Sequence, residues 1–148
     1  MSDECVICLK HHGGGPLAGE LIGRTGGFRI YHAMADDEGN ARLGWLFIEI
    51  ERHVPYLADL SDAEASTLGT LRTRLARALR HELGAEFVLS FVIGLGVAHF
   101  HEHVVPRMQG TSSDVAWYDS DEVLPQADAT EVADLARRLR ATLGLQES

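Results

Sequence analysis

The sequence predicts an α+β domain in which an antiparallel sheet carries one long helix on a face, with a second helix near the C-terminus. Three observations lead there. Two strand patterns precede a capped helix, two more follow it around a glycine turn, and an amphipathic stretch comes last. Neighbouring strands joined by short turns pair antiparallel, and the helices then bury the apolar side of the sheet. At 148 residues the chain fits one domain over 1–148, long enough to bury a core.

Segment 28–34 (Phe-Arg-Ile-Tyr-His-Ala-Met) reads as the first strand and is followed by a polar loop from Asp36 to Arg42. Segment 44–50 (Gly-Trp-Leu-Phe-Ile-Glu-Ile) is the stronger second strand, nearly continuous in apolar and β-branched residues. Ser61-Asp62-Ala63-Glu64 is a capping box, in which Ser61 and Glu64 satisfy each other's free backbone amides. Behind it Leu68, Leu71, Leu75, Leu79 and Leu83 recur at helical steps of 3, 4, 4 and 4, and Gly84 is a natural stop. Segment 86–93 reads as a buried strand, Gly94–Gly96 as a turn and 98–105 as a further strand. The last helix runs from about Ala129 to Leu143, with Val132, Leu135, Leu139 and Leu143 on one stripe and Gly144 after it. Gly13-Gly14-Gly15-Pro16 is a loop.

Charge and composition exclude several classes. The net charge is −9, from 22 acidic and 13 basic residues. A nucleic-acid binder needs a basic stripe, whereas the one arginine cluster here (Arg72, Arg74, Arg77, Arg80) lies along the long helix and reads as its solvated face. The longest apolar run, around Phe87–Val97, is interrupted by Ser90, Gly94 and Gly96, so no membrane span is expected. The acidic opening Met1-Ser2-Asp3-Glu4 is unlike a secretory signal, which points to the cytoplasm. In a reducing compartment the pair Cys5-x-x-Cys8 reads as metal-binding or redox-active.

The chemistry concentrates in His99-Phe100-His101-Glu102-His103. Side chains alternate along a strand, so the three imidazoles are expected on one face. Eight histidines in 148 residues do not produce such a triple by accident, and purification tags are contiguous and terminal. A solvated face would ordinarily use Lys, Thr or Glu. Three imidazoles suit metal ligation, nucleophilic attack or the holding of a phosphate.

The run His99-Phe100-His101-Glu102-His103-Val104-Val105-Pro106-Arg107 resembles the signature of the histidine triad family, His-φ-His-φ-His-φ-φ, with its following Pro-Arg. The likeness continues upstream through Gly44–Ile50, Arg52-His53 and Leu57 to Glu64, while Cys5-x-x-Cys8 is similar to the zinc-bearing bacterial branch. It covers roughly residues 5–107. The resemblance implies a homodimer with sheets joined across the subunits, acting on nucleotides at the α-phosphate. It further implies that His101 attacks phosphorus to form a nucleotidyl-histidine and that His103 helps hold the phosphate. Cys5, Cys8, His53 and His99 match the ligands of a structural zinc, a closed set of two sulfurs and two imidazoles. Dinucleoside polyphosphates or nucleoside phosphoramidates are the expected substrates of a hydrolase. A nucleotidyltransferase of the same superfamily and a nucleotide-binding dimer with little catalysis are the alternatives. His11 and His12, beside the cysteines, are rival ligands, but two histidines at adjacent positions read rather as a solvated loop.

Several positions depart from the family. Its loop before the triad brings a Gln or Ser to the phosphate, but Leu95 and Gly96 carry no side-chain donor, so backbone amides must serve. Trp45 stands where the family often has a fourth histidine; it reads as core packing or as a wall for the base. Of Asp36 and Asp37, in the loop where the family places an acid on the ribose hydroxyls, Asp37 is assigned to the substrate. Glu102 takes a normally apolar position and must reach solvent or a basic partner.

Overall fold

The computed structural model describes residues 5–146; the acidic opening Met1–Glu4, read above as unlike a secretory signal, lies outside them. In chain order, α1 spans Val6–His11, β1 Leu21–Thr25, β2 Phe28–His32, β3 Ala41–Arg42 and β4 Leu46–Ile50. Then come α2 at Asp62–Leu83, β5 at Ala85–Phe91, β6 at His101–Met108, β7 at Gln126–Ala127 and α3 at Ala129–Leu143. Short 3₁₀ turns occupy Leu57–Asp59 and Trp117–Val123. Five strands form one antiparallel sheet in the order β1-β2-β4-β6-β5, and β3 pairs with β7 beside it.

The sheet's two faces are sorted by the period of two. Phe28, Ile30, Leu46, Ile48, Ile50 and Val104 are buried beneath Leu68, Leu71, Leu75, Ala78 and Leu79 of α2 and Leu135, Leu139 and Leu143 of α3. Each large aliphatic taken fully from water in this way contributes about 1.5–3 kcal/mol. The expected capping box at Ser61 and Glu64 is present, and α3 carries a second one at Asp128 and Glu131. Gly84 ends α2 at φ +67°, a left-handed conformation that costs glycine nothing sterically.

The triad strand differs from the sequence expectation. It runs from His101 to Met108, not 98–105, and Ala98 and His99 form a bend ahead of it. Only His101 and His103 alternate along the ladder, opposite Glu49 and Phe47 of β4. His99 leaves the ladder because its ring is turned inward, with Nε2–H donating to the Ile50 carbonyl at 2.7 Å. At the other end the strand continues through Pro106, beyond the last β4 partner at Val104, where a missing N–H breaks no β4 bond.

Glu102 found its basic partner. It lies opposite Ile48 on the helix-covered face, 2% exposed, and both its oxygens accept from Arg72 of α2, the shortest contact being 2.6 Å. The reading of the arginine cluster as a solvated face is corrected at Arg72 alone. Arg72 ties α2 to the triad strand, while Arg74, Arg77 and Arg80 are exposed, Arg74 also donating to the Leu143 carbonyl at 2.6 Å.

No helix among the described residues is long and apolar enough to cross a membrane.

Candidate active site and metal centre

Two sites meet at the N-terminal end of β6. The first gathers Cys5, Cys8, His53 and His99, whose ligand atoms all lie within 4.8 Å of one another. Cys5 caps α1, its Sγ accepting from the Cys8 amide at 3.5 Å, so a six-residue helix fixes the spacing of the two sulfurs. His99 Nδ1 is 3.4 Å from Cys5 Sγ and 3.5 Å from Cys8 Sγ, and His53 Nδ1 is 3.5 Å from Cys8 Sγ. Zinc bonds of about 2.3 Å to sulfur and 2.0–2.1 Å to nitrogen, at tetrahedral angles, set S and N about 3.6 Å apart.

The tautomer of His99 agrees with this. A carbonyl only accepts, so the contact to Ile50 O assigns the proton to Nε2 and leaves Nδ1 with its lone pair toward the sulfurs. Burial, followed by the neighbouring His11 and His53, pushes the His99 pKa down and keeps the ring neutral. Burial and the adjacent Cys5 push the Cys8 thiol up, a direction a bound cation reverses. The donor set therefore fits a metal ion that favours two thiolates and two neutral imidazoles.

The second site is a cleft of about 300 Å³ that ends at His101. Its walls are largely apolar, from Ile7, Leu17, Met34, Trp45, Phe47 and Val97, with Lys10, His32 and Glu49 as polar additions. His101 Nδ1–H donates to the His99 carbonyl at 2.7 Å, so Nε2 keeps the lone pair. The His101 and His103 rings are 5.6 Å apart. His103 is packed between Phe91 (4.9 Å, nearly parallel), Phe47 (4.8 Å) and Trp45 (6.1 Å). Burial, and then the nearby His101, lowers the His103 pKa to about 4, and its Nδ1 is buried without a hydrogen-bond partner.

The remaining assigned residues are distributed as follows. Trp45 lies on the cleft wall with a buried, unpartnered Nε1. Leu95 is 92% exposed, and it and Gly96 lie outside the residues lining the cleft. Asp37 is exposed and also outside that wall. Its neighbour Asp36 accepts from the Glu38 and Asn40 amides, closing its own turn in a hollow that shares Met34 and Trp45 with the cleft.

Four residues of this region were missed by sequence reasoning. His11 is no solvated loop residue. Its Nε2 contacts Glu49 at 2.8 Å, and its ring stacks on Tyr31 at 6.0 Å. Lys10 Nζ donates to the other Glu49 oxygen at 2.6 Å. Burial raises the Glu49 carboxyl, but His11 and Lys10 together outweigh it and hold the pKa below the ordinary range. His32 donates from Nδ1 to the Ala33 carbonyl at 2.9 Å and accepts the Gly44 amide on Nε2 at 3.0 Å, which shapes the turn into β4. The charged Glu49 within an apolar strand pattern was the one available signal.

No family model and no curated protein matches the sequence. The fold, however, is that of solved histidine triad proteins. A zinc-bound histidine triad family protein from Mycobacterium smegmatis is 23% identical, with 95% of this chain and 94% of that one covered at a TM-score of 0.68. A Hit-like protein involved in cell-cycle regulation from Bartonella henselae is 13% identical over 96% and 98% of the two chains, at 0.71. A hypothetical histidine triad nucleotide-binding protein from Sulfolobus tokodaii is 14% identical over 95% and 92%, at 0.68.

Proposed function

We propose that the protein is a histidine triad nucleotide hydrolase that carries a structural zinc and acts at the α-phosphate by double displacement through His101. The observation that carries this reading is the anchored tautomer of His101: Nδ1–H held by the His99 carbonyl, Nε2 free at the end of the cleft. An imidazole attacks only through an unprotonated nitrogen, and a fixed ring attacks faster than a rotating one.

In the first step His101 Nε2 attacks the α-phosphorus. The bond from phosphorus to the leaving group breaks, and the leaving group departs with the electron pair. In the second step water attacks the nucleotidyl-histidine, the P–N bond breaks with its electron pair returning to Nε2, nucleoside monophosphate is released with the water's proton passing to solvent, and neutral His101 is regenerated. His103 helps hold the phosphate, and Trp45 and the apolar wall receive the base. We assign Asp37 to the ribose hydroxyls, and the backbone amides around Leu95 and Gly96 to the phosphate. Zinc on Cys5, Cys8, His53 and His99 would fix the His99 backbone and, through its carbonyl, the His101 ring. Leu95 and Gly96 bring no side-chain acid, and such assistance is worth about 10²–10⁴-fold. Substrates with good leaving groups, such as dinucleoside polyphosphates, are therefore favoured over phosphoramidates.

A homodimer accompanies this reading. β5 is an edge strand with Phe87 and the nearby Ile93 each 55% exposed, an apolar border suited to a second copy. Light scattering at micromolar concentration should give twice 16.2 kDa, and a clean monomer would remove the dimer. The test of the activity itself is substitution. His101→Ala should bind nucleoside monophosphate but not turn over an activated nucleotide, while His103→Ala should only weaken turnover. Wild-type rates for His101→Ala would end the proposal.

A further inference from the structure

The mechanism above leaves Lys10 and Glu49 unused, although both line the cleft that ends at His101. Their side chains are only 9% and 3% exposed. A buried ion pair adds little stability, because desolvation offsets the attraction and an apolar pair of the same volume does as well. Packing of an antiparallel sheet face calls for no such pair, so its presence beside His101 asks for a ligand.

We infer that Lys10 is the cation that receives the substrate's phosphate in this cleft, with Glu49 as its positioning residue. The inference rests on the nucleotide reading and deepens it. Glu49 stands directly opposite His101 in the β4–β6 ladder, and facing residues have Cβ atoms about 4.5–5.5 Å apart. The ammonium on Glu49 and the imidazole of His101 thus border the same space. Nζ has three N–H bonds. Glu49 engages one at 2.6 Å, and the Tyr31 ring takes the cation on its face at 3.9 Å, which fixes where the charge sits. No further acceptor holds Nζ among the described residues, so donor capacity is left for a ligand. Lys10 is also the sole Lys or Arg side chain on the cleft wall. A bare carboxylate would repel a phosphate, but both oxygens of Glu49 are already engaged, one by Lys10 Nζ and one by His11 Nε2. The N–H donors left free on the ammonium then favour a ligand that brings its own negative charge over a neutral one.

The inference predicts selectivity for the phosphate over the nucleoside that bears it. Calorimetric titration of adenosine monophosphate and guanosine monophosphate, each beside its uncharged nucleoside, reads this directly in wild type and variants. The double variant Lys10→Met with Glu49→Gln removes the pair without stranding a buried carboxylate. It should lose about 10–100-fold in monophosphate affinity, the scale of one charge-assisted contact, and keep nucleoside affinity within about twofold. Lys10→Arg should retain most of the monophosphate affinity. Should the double variant not fold, Lys10→Gln gives the same reading, since it keeps a hydrogen bond to Glu49 without the charge. Zinc content and melting temperature serve as controls, because α1 also carries Cys8. An unchanged ratio of monophosphate to nucleoside affinity overturns the inference, and so does a parallel loss of both, which would mark a packing role. Wild-type protein that binds none of the four ligands would sink the nucleotide reading itself, and this inference with it.

Discussion

His99 and His101 are two residues apart and do opposite things with the same ring. His99 donates from Nε2 to the Ile50 carbonyl and turns Nδ1 to the sulfurs of Cys5 and Cys8. His101 donates from Nδ1 to the His99 carbonyl and leaves Nε2 at the cleft. In each case a backbone oxygen selects which nitrogen keeps its lone pair. The imidazole itself does not choose which nitrogen is left free; the carbonyl within reach does. The two sites are also joined in series, since His99, one of the four clustered candidate ligands, supplies the carbonyl that orients the His101 ring.

The strongest way to separate the two regions is to remove one ring at a time. His101→Ala should lower turnover on the order of 10³-fold or more while leaving metal content at one ion per chain. Elemental analysis beside steady-state rates checks this, and metal loss in His101→Ala would mean that the regions are not separable in that direction.

Removing the metal works in the reverse direction. Protein purified without added metal should carry close to one zinc per chain. Chelation should lower the melting temperature by about 10 °C, on the order of 4 kcal/mol at roughly 2–4 °C per kcal/mol for this size. It should also reduce activity, because the His99 carbonyl loses its support. Metal-free protein with freely alkylated Cys5 and Cys8 and unchanged melting would remove the metal centre from the account.

A third variant asks what anchors the strand that both sites share. Arg72→Met leaves the Glu102 carboxylate buried without a partner, and should destabilise by about 3 kcal/mol, the low end for a broken buried pair since Arg72 is 40% exposed. Pairing it with Glu102→Leu should recover most of that loss. Denaturant titration measures both, and equal stability of the single and double variants would contradict the pairing.

The smallest effect is a pH dependence. Burial holds His103 near 4, below its ordinary 6.5, so the folded state disfavours the proton that the unfolded chain accepts. Stability from this group is complete above about 6.5 and is lost as pH falls toward 4, by an amount on the order of 2 kcal/mol. His103→Gln should flatten that portion of the stability profile relative to wild type. Identical profiles between pH 7 and 4 would show that His103 titrates normally.

Much of this was legible in the sequence, for identifiable reasons. The helix α2 announced itself through Ser61, the leucine steps and Gly84, all local signals. The main strands did so through apolar runs, although β5, expected to be buried, is an edge strand with Phe87 exposed. What escaped was short or non-local. α1 has six residues, fewer than two turns, so no periodicity can register. β1 holds Gly23 in its middle, and the two-residue β3–β7 ladder joins segments some eighty residues apart. The displaced start of β6 had a different cause: alternation places three histidines on one face only if the chain is extended throughout, and the inward turn of His99 broke that condition. In the site, Cys5, Cys8, His53 and His99 converge as the motif suggested. Lys10, His11 and Glu49 did not stand out, because α1 and β4 bring them together and no spacing along the chain encodes it.

During turnover Nε2 of His101 is expected to become bonded to phosphorus. Mixing the protein with an activated nucleotide, quenching in alkali because phosphohistidine-type bonds are acid-labile, and mapping the peptide by mass spectrometry tests it directly. One nucleotidyl group on the peptide containing His99, His101 and His103 is expected, fragmenting to His101 and absent from His101→Ala. Turnover at the full rate with no adduct at any quench time, or an adduct on His103 instead, would contradict the account.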